Sequence, residues 1–198
     1  MNFKYAVALT GSIATGKSTV ANILKENGFN IIDADKIAHK ILDREYLSIS
    51  KIFGKKYITD KKVDRKKLGE LIFQDKLAKA KLEKFIHPLI YRDILNMSKR
   101  LDEKAKPYII DIPLFFETNR YDIDKVIVVY TPKNIQLKRL INRDNLSEFE
   151  AQSKINSQID IEKKRKLATY LIDNSKDLKN LQKETLKIID KIRREFKY

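Results

Sequence analysis

The stretch Gly11-Ser12-Ile13-Ala14-Thr15-Gly16-Lys17-Ser18 fits the spacing G-x-x-x-x-G-K-[ST] and separates two segments of opposite character. Before it, "YAVALT" (Tyr5 to Thr10) is an apolar run without helical period, which reads as a strand buried on both faces. After it, "KSTVANILKENG" places Val20, Ile23 and Leu24 on one helical face and stops at Gly28, a good C-terminal cap. This strand, loop and helix constrain the fold more than anything else in the chain. A strand buried on both faces needs helices on both sides of its sheet, and a lysine-bearing glycine turn in that context cradles phosphate groups.

With only five glycines and four prolines in 198 residues, and no repeat, motifs must mark the organisation. "FNIIDAD" reads as a second buried strand that ends in two carboxylates, "PYIID" and "KVIVVY" return to the same pattern, and "TYLID" is a last short strand. Residues 41–104 carry helical periodicity but little that suits a central strand. There Asp64 caps "RKKLGELIF", and Pro88 opens the helix "HPLIYRDILNMSKRL". Thr131-Pro132 starts the helix "KNIQLKRLINRD", and "SEFE" (Ser147 to Glu150) is a capping box for another polar helix. Leu178, Leu181, Ile188, Ile189, Ile192 and Phe196 form the apolar face of the final helix.

Strands alternating with helices predict an α/β fold of the P-loop NTPase type, a parallel sheet flanked by helices, as a single domain. Its core is expected in residues 1–40, 105–135 and 166–198, with a helical acceptor-binding insertion at about 41–104 and a lid at about 136–165. Ligands of such sheets bind beyond the carboxyl ends of the strands. The glycine loop, "DAD" and "DIP" all fall there.

The chain has no cysteine, which removes disulfides, thiolate catalysis and cysteine metal sites. No apolar run approaches the roughly 18 residues that span a bilayer, and the first residues lack the features of a signal peptide, so a cytoplasmic location is expected. The net charge of +15 favours anionic partners without choosing among nucleic acid, acidic membrane and phosphorylated metabolites. The lysines are spread along "GKKYITDKKVDRKK", "IEKKRK" and "IRREFK" rather than gathered in one arm, and no aromatic-rich binding repeat accompanies them. A nucleic-acid-binding ATPase is therefore the weaker reading, and neither nucleic acid nor membrane is an expected partner.

Backbone N–H groups of Gly11, Ser12, Ile13, Ala14, Thr15 and Gly16, together with the following helix N-terminus, converge on phosphate oxygens in such a loop. Lys17 adds a point charge near the β- and γ-phosphates, Ser18 ligates Mg²⁺ through its hydroxyl, and Thr19 is positioned for phosphate contact. The expected cofactors are ATP and Mg²⁺. An N-K-x-D guanine reader and a D-x-x-G switch are lacking, which counts against a GTPase. A kinase needs a closing lid, because water would otherwise compete as the acceptor. Arg139 and Arg143 lie four apart and share a helix face, where they either clamp triphosphate oxygens or pair with Asp144 or Glu148.

"ALTGSIATGKSTVANILKENGFNIIDADKIAHKIL", "VDRKKLGELIF", "IHPLI", "DIPLFFE", "QLKRLINRDNLSEFEA" and "EKKRKLATYLIDNS", in that order, resemble the signatures of the dephospho-CoA kinase family over nearly the whole chain. The resemblance implies transfer of the ATP γ-phosphoryl group to the ribose 3′-hydroxyl of dephospho-CoA, giving coenzyme A and ADP, by a monomer or weak homo-oligomer. It assigns Asp35 to the acceptor hydroxyl proton, with Asp33 as the reserve candidate that physics alone does not separate from it. It supports Arg139 and Arg143 as triphosphate ligands. It places Thr10 and Arg65 beside the acceptor, with His87 of the "HP" signature either there or structural, and puts Asn174 near the adenine. Ser12 and Ala14 stand where the family commonly has glycine, Asp160 where proline is usual, and Thr169 where aspartate is common. A positive φ at Ser12 or Ala14 would strain the loop.

Overall fold

The computed structural model describes residues 3–197, in two compact units: the residues up to Ile32 together with those from Ser98 onward, and Asp33–Met97. In chain order the elements are β1 (Ala6–Gly11), α1 (Lys17–Glu26), β2 (Ile31–Asp33), α2 (Ala34–Arg44), α3 (Tyr46–Phe53), β3 (Ile58–Thr59), β4 (Lys62–Val63), α4 (Arg65–Gln74) and α5 (Lys76–Asp102). There follow β5 (Tyr108–Asp111), α6 (Phe115–Thr118), β6 (Val126–Tyr130), α7 (Lys133–Asp144), α8 (Glu148–Asn156), α9 (Ile161–Lys166), β7 (Tyr170–Asp173) and α10 (Leu178–Glu195).

One sheet runs in the order β2-β5-β1-β6-β7. β1 pairs parallel with β5, Ala6 opposite Tyr108, and with β6, Ala8 opposite Val126, and β6 pairs parallel with β7. All of β1, β5 and β6 is buried, as their uninterrupted apolar patterns predict. Val20 and Leu24 of α1 and Leu181, Ile189 and Ile192 of α10 pack with Val7, Leu9, Ile127 and Ile172 in one core. Leu178 departs from the predicted face. It opens α10 and is 65% exposed, because the helix begins before its stripe reaches the sheet. α1 ends as expected: Gly28 has φ 90, and the N–H groups of Asn27, Gly28 and Phe29 return to the carbonyls of Ile23, Lys25 and Leu24.

The unit of residues 33–97 is mostly helical, with one short hairpin, β3–β4, that the hydrophobic pattern did not announce. Its turn residues Asp60 and Lys61 both have positive φ, and two-residue strands leave almost no alternation to read. Asp64 caps α4 by accepting from the Lys67 N–H at 3.1 Å. Pro88 does not open a helix. It lies inside the 27-residue α5. Leu82, Ile86, Ile90 and Ile94 recur every fourth residue straight through it, and all are buried. Four such side chains contribute about 1.5–3 kcal/mol each on burial, which outweighs the roughly 3 kcal/mol that an interior proline costs.

Candidate active site

The phosphate loop leaves the carboxyl end of β1 between its neighbours β5 and β6, where the chain's crossovers diverge to opposite sides of the sheet. Gly16 takes φ 88 and ψ 18 at the start of α1, and a Cβ there would lie 2.3 Å from Asn174 Nδ2. Only glycine fits. The first helical bonds run from Thr19 and Val20 to the Gly16 carbonyl, which leaves the N–H groups of Lys17 and Ser18 outside the ladder, at the positive end of the helix dipole. Of the two replaced glycines, Ala14 has φ 60 and carries the strain. Ser12 does not have a positive φ; its Oγ is buried without a partner among the described residues, at the wall of a cavity of about 230 Å³ also lined by Gln136, Gln158 and Asp160.

Other residues brace the loop from behind. Asn174 donates to the Thr15 carbonyl at 2.8 Å, and Thr131 Oγ1 reaches the same carbonyl at 3.2 Å. Lys17 pairs with Asp111 at the end of β5. Asp111 thus sets its carboxylate against the loop lysine from the end of β5. Lys164 is fully buried and donates to the Gly11 carbonyl at 2.9 Å, with Glu117 Oε1 2.7 Å away. Burial pulls its ammonium below the ordinary lysine value, and Glu117 opposes that pull. The sequence reading missed Lys164, Glu117, Gln158 and Thr131. Lys164 stands three residues after the apolar Ile161, yet nothing local singles it out from the other cations of "EKKRK".

α7 and α8 form a helical hairpin whose buried Leu140, Ala151 and Ile155 pack with Ile13 and Ala14 of the loop. Ser147 caps α8 in the predicted box with Glu150. Asp160, in place of proline, caps α9 and pairs with Lys133 at 2.6 Å. Thr169, in place of aspartate, accepts the Val126 N–H at 3.0 Å at the strand entry. The two arginines part company here. Arg139 turns inward and donates to the Asn174 carbonyl at 3.0 Å, with Thr131 Oγ1 3.4 Å away. Arg143 is exposed and holds Asp144 through two bonds of 2.7 and 3.0 Å, which raise its pKa further above the ordinary arginine value. Thr10, fully buried, donates to the Pro113 carbonyl at 3.0 Å.

In the other unit, Asp33 is the cap of α2. It accepts from the Lys36 N–H at 2.9 Å, and the Lys36 ammonium lies 3.1 Å from its second oxygen. Asp35 sits exposed in the first turn, and its side chain meets no partner among the described residues. Arg65 opens α4, likewise exposed and unpartnered there. His87 is half-buried inside α5 beside Pro88.

A sheet of this order, with a lysine-bearing phosphate loop at the end of its first strand and an arginine hairpin packed on that loop, defines a P-loop kinase. The sequence profile described as dephospho-CoA kinase matches residues 5–180. A dephospho-CoA kinase of Sulfurimonas denitrificans is 51% identical over 196 residues, covering 99% of this chain and 98% of its own. A structure of the Campylobacter jejuni dephospho-CoA kinase superposes with a TM-score of 0.80 at 45% identity, covering 96% of this chain and 98% of its own. The chain belongs to the dephospho-CoA kinase family. A shikimate kinase of Acinetobacter baumannii, 16% identical with a TM-score of 0.52 over 96% of this chain and 93% of its own, shares the fold.

Proposed function

We propose that this kinase binds MgATP on residues 11–19 and transfers the γ-phosphoryl group to the ribose 3′-hydroxyl of dephospho-CoA, completing coenzyme A. The observation that carries the reading is the loop itself: Gly16 in the left-handed region, with Lys17 and two uncommitted helix N–H groups beyond it, in a chain that matches the family almost end to end. The acceptor oxygen forms a bond to the γ-phosphorus as the bond to the β,γ-bridging oxygen breaks, and ADP leaves with that oxygen. Asp35 takes the hydroxyl proton and passes it to water. Its unpartnered carboxylate suits a modest base, because phosphoryl transfer depends mainly on positioning and charge stabilisation.

Lys17 exchanges Asp111 for phosphate oxygens when nucleotide arrives. Arg139, already turned toward the loop, holds the triphosphate, and Arg143 joins it by leaving Asp144. Asn174 acts on the nucleotide through the Thr15 carbonyl that it holds. Asp33 orients the start of α2, and the unit of residues 33–97 holds the acceptor with Arg65 and His87. Thr10, at the end of β1, is the acceptor-binding candidate of the unit that carries the phosphate loop.

The donor set fits a magnesium ion that arrives with the nucleotide. The Ser18 hydroxyl is exposed, and no group of three or more His, Asp or Glu residues among those described forms a protein cage; Mg²⁺ characteristically keeps waters and phosphate oxygens beside one or two protein oxygens. When bound, the ion supplies charge neutralisation on the phosphates.

The test is purified protein with MgATP and dephospho-CoA, following ADP and coenzyme A together, with adenosine, AMP and single-stranded nucleic acid as parallel arms. Stoichiometric coenzyme A is expected. ADP release only with another acceptor, or only with nucleic acid, would sink the acceptor assignment.

A further inference from the structure

The buried ammonium of Lys164 lies at a junction that the phosphotransfer chemistry does not use. Its Nζ donates to the carbonyl of Gly11, the first residue of the phosphate loop, and lies 2.7 Å from Glu117 Oε1. That same oxygen accepts the Ile159 N–H at 3.1 Å, and the preceding residue, Gln158, accepts the Ile13 N–H through Oε1 at 2.9 Å. The end of the α7–α8 hairpin and both ends of the turn Gly11–Ile13 are thus pinned around one lysine.

We propose that Lys164 is a positioning residue for nucleotide binding: by fixing the Gly11 carbonyl it sets the peptide plane from which the phosphate loop departs, and through Glu117 it anchors the hairpin's closing segment to that loop. Lys164 is nowhere exposed, so water does not screen the contact or replace it. Glu117 Oε2 is buried with no hydrogen-bonding partner among the described residues, so Lys164 is the cation that compensates this carboxylate. A lysine whose only task was to neutralise Glu117 would not need to reach the loop. The proposal rests on the loop being the nucleotide site.

Three variants separate positioning from simple ion pairing, read by MgADP titration calorimetry, steady-state kinetics and thermal melting. Lys164→Met leaves Glu117 buried and uncompensated, so it loses both stability and nucleotide affinity. Lys164→Met combined with Glu117→Gln replaces the pair by neutral groups of similar volume, which restores stability but not the Gly11 contact. MgADP affinity is expected to stay about ten-fold weaker than wild type, the size of a lost charge-assisted hydrogen bond, with the KM for ATP raised more than kcat is lowered. Glu117→Gln alone keeps an Oε1 acceptor for Lys164 and the Ile159 N–H and leaves Lys164 on Gly11; it is expected to lower Tm, because the buried ammonium loses its counter-charge, while MgADP affinity stays near wild type. Recovery of full affinity in the double variant would overturn the proposal, as would an affinity loss in Glu117→Gln equal to that in Lys164→Met. Failure of the wild-type protein itself to bind MgADP would instead overturn the loop assignment.

Discussion

The phosphate loop and the start of α2 both present candidate chemistry at the end of a strand, yet they are built in opposite ways. Around the loop the backbone is held by committed side chains: Asn174 and Thr131 hold the Thr15 carbonyl, Lys164 holds the Gly11 carbonyl and Gln158 holds the Ile13 N–H, while Lys17 is paired with Asp111. At α2 and α4, Asp35 and Arg65 are exposed without partners among the described residues. The loop's backbone is braced by side chains from distant parts of the chain, whereas Asp35 and Arg65 stand open. Backbone groups fixed before a ligand arrives need no reorganisation when it binds, whereas an open carboxylate is free to meet an incoming group.

The largest effect should come from the committed side. Lys17→Ala is expected to lower kcat/KM by about 10²–10³-fold, the scale of losing one pre-organised stabiliser of developing charge; an unchanged value would break the assignment of the loop. On the open side, Asp35→Asn should lower kcat by about 10²-fold or more, with ATP affinity unchanged. Asp33→Asn preserves the cap of α2 and should leave turnover close to wild type. The reverse ranking of these two variants would move the base to Asp33.

The arginines sharpen the contrast within a single helix. Arg139→Met should lower kcat/KM by about 10–100-fold, as expected for hydrogen bonds to a charged group. Arg143→Met should cost less, because Arg143 is engaged with Asp144 at the surface. Equal losses would show that Arg143 is recruited as fully as Arg139 when nucleotide binds.

Two smaller effects concern stability. Ala14→Gly relieves a left-handed residue and should raise stability by about 1 kcal/mol, seen as a Tm increase of about 3 °C; no increase would mean that the loop holds its strain without cost. The capping carboxylates Asp64, Glu150 and Asp160 all have pKa values below their ordinary ones. The leading causes are the Lys67 backbone N–H for Asp64, the Ser147 side chain for Glu150 and the Lys133 side chain for Asp160. The unfolded chain binds protons at these sites first as pH falls, so their stabilisation is complete above about pH 5 and is lost on acidification below about pH 4. Tm should be flat above that window and fall below it, and less so in Asp160→Asn.

Much of this was legible in the chain itself. Uninterrupted apolar runs give the buried strands, Ser147 with Glu150 gives a capping box, and G-x-x-x-x-G-K-[ST] between strand and helix gives the phosphate loop, because each signal lies within a few residues of its effect. The hairpin β3–β4 was too short to show a period. Pro88 misled because its local preference for a helix start yields to an apolar stripe that runs on both sides of it.

What only the tertiary structure decided is which polar group each functional residue meets. Arg139 rather than Arg143 faces the loop, and Lys164, alone among the cations of "EKKRK", is buried on Gly11. Sequence spacing places a side chain on a face of its own element. Its partner lies on another element, 153 residues away in the case of Lys164 and Gly11, and only the packing of the sheet and its helices brings the two together.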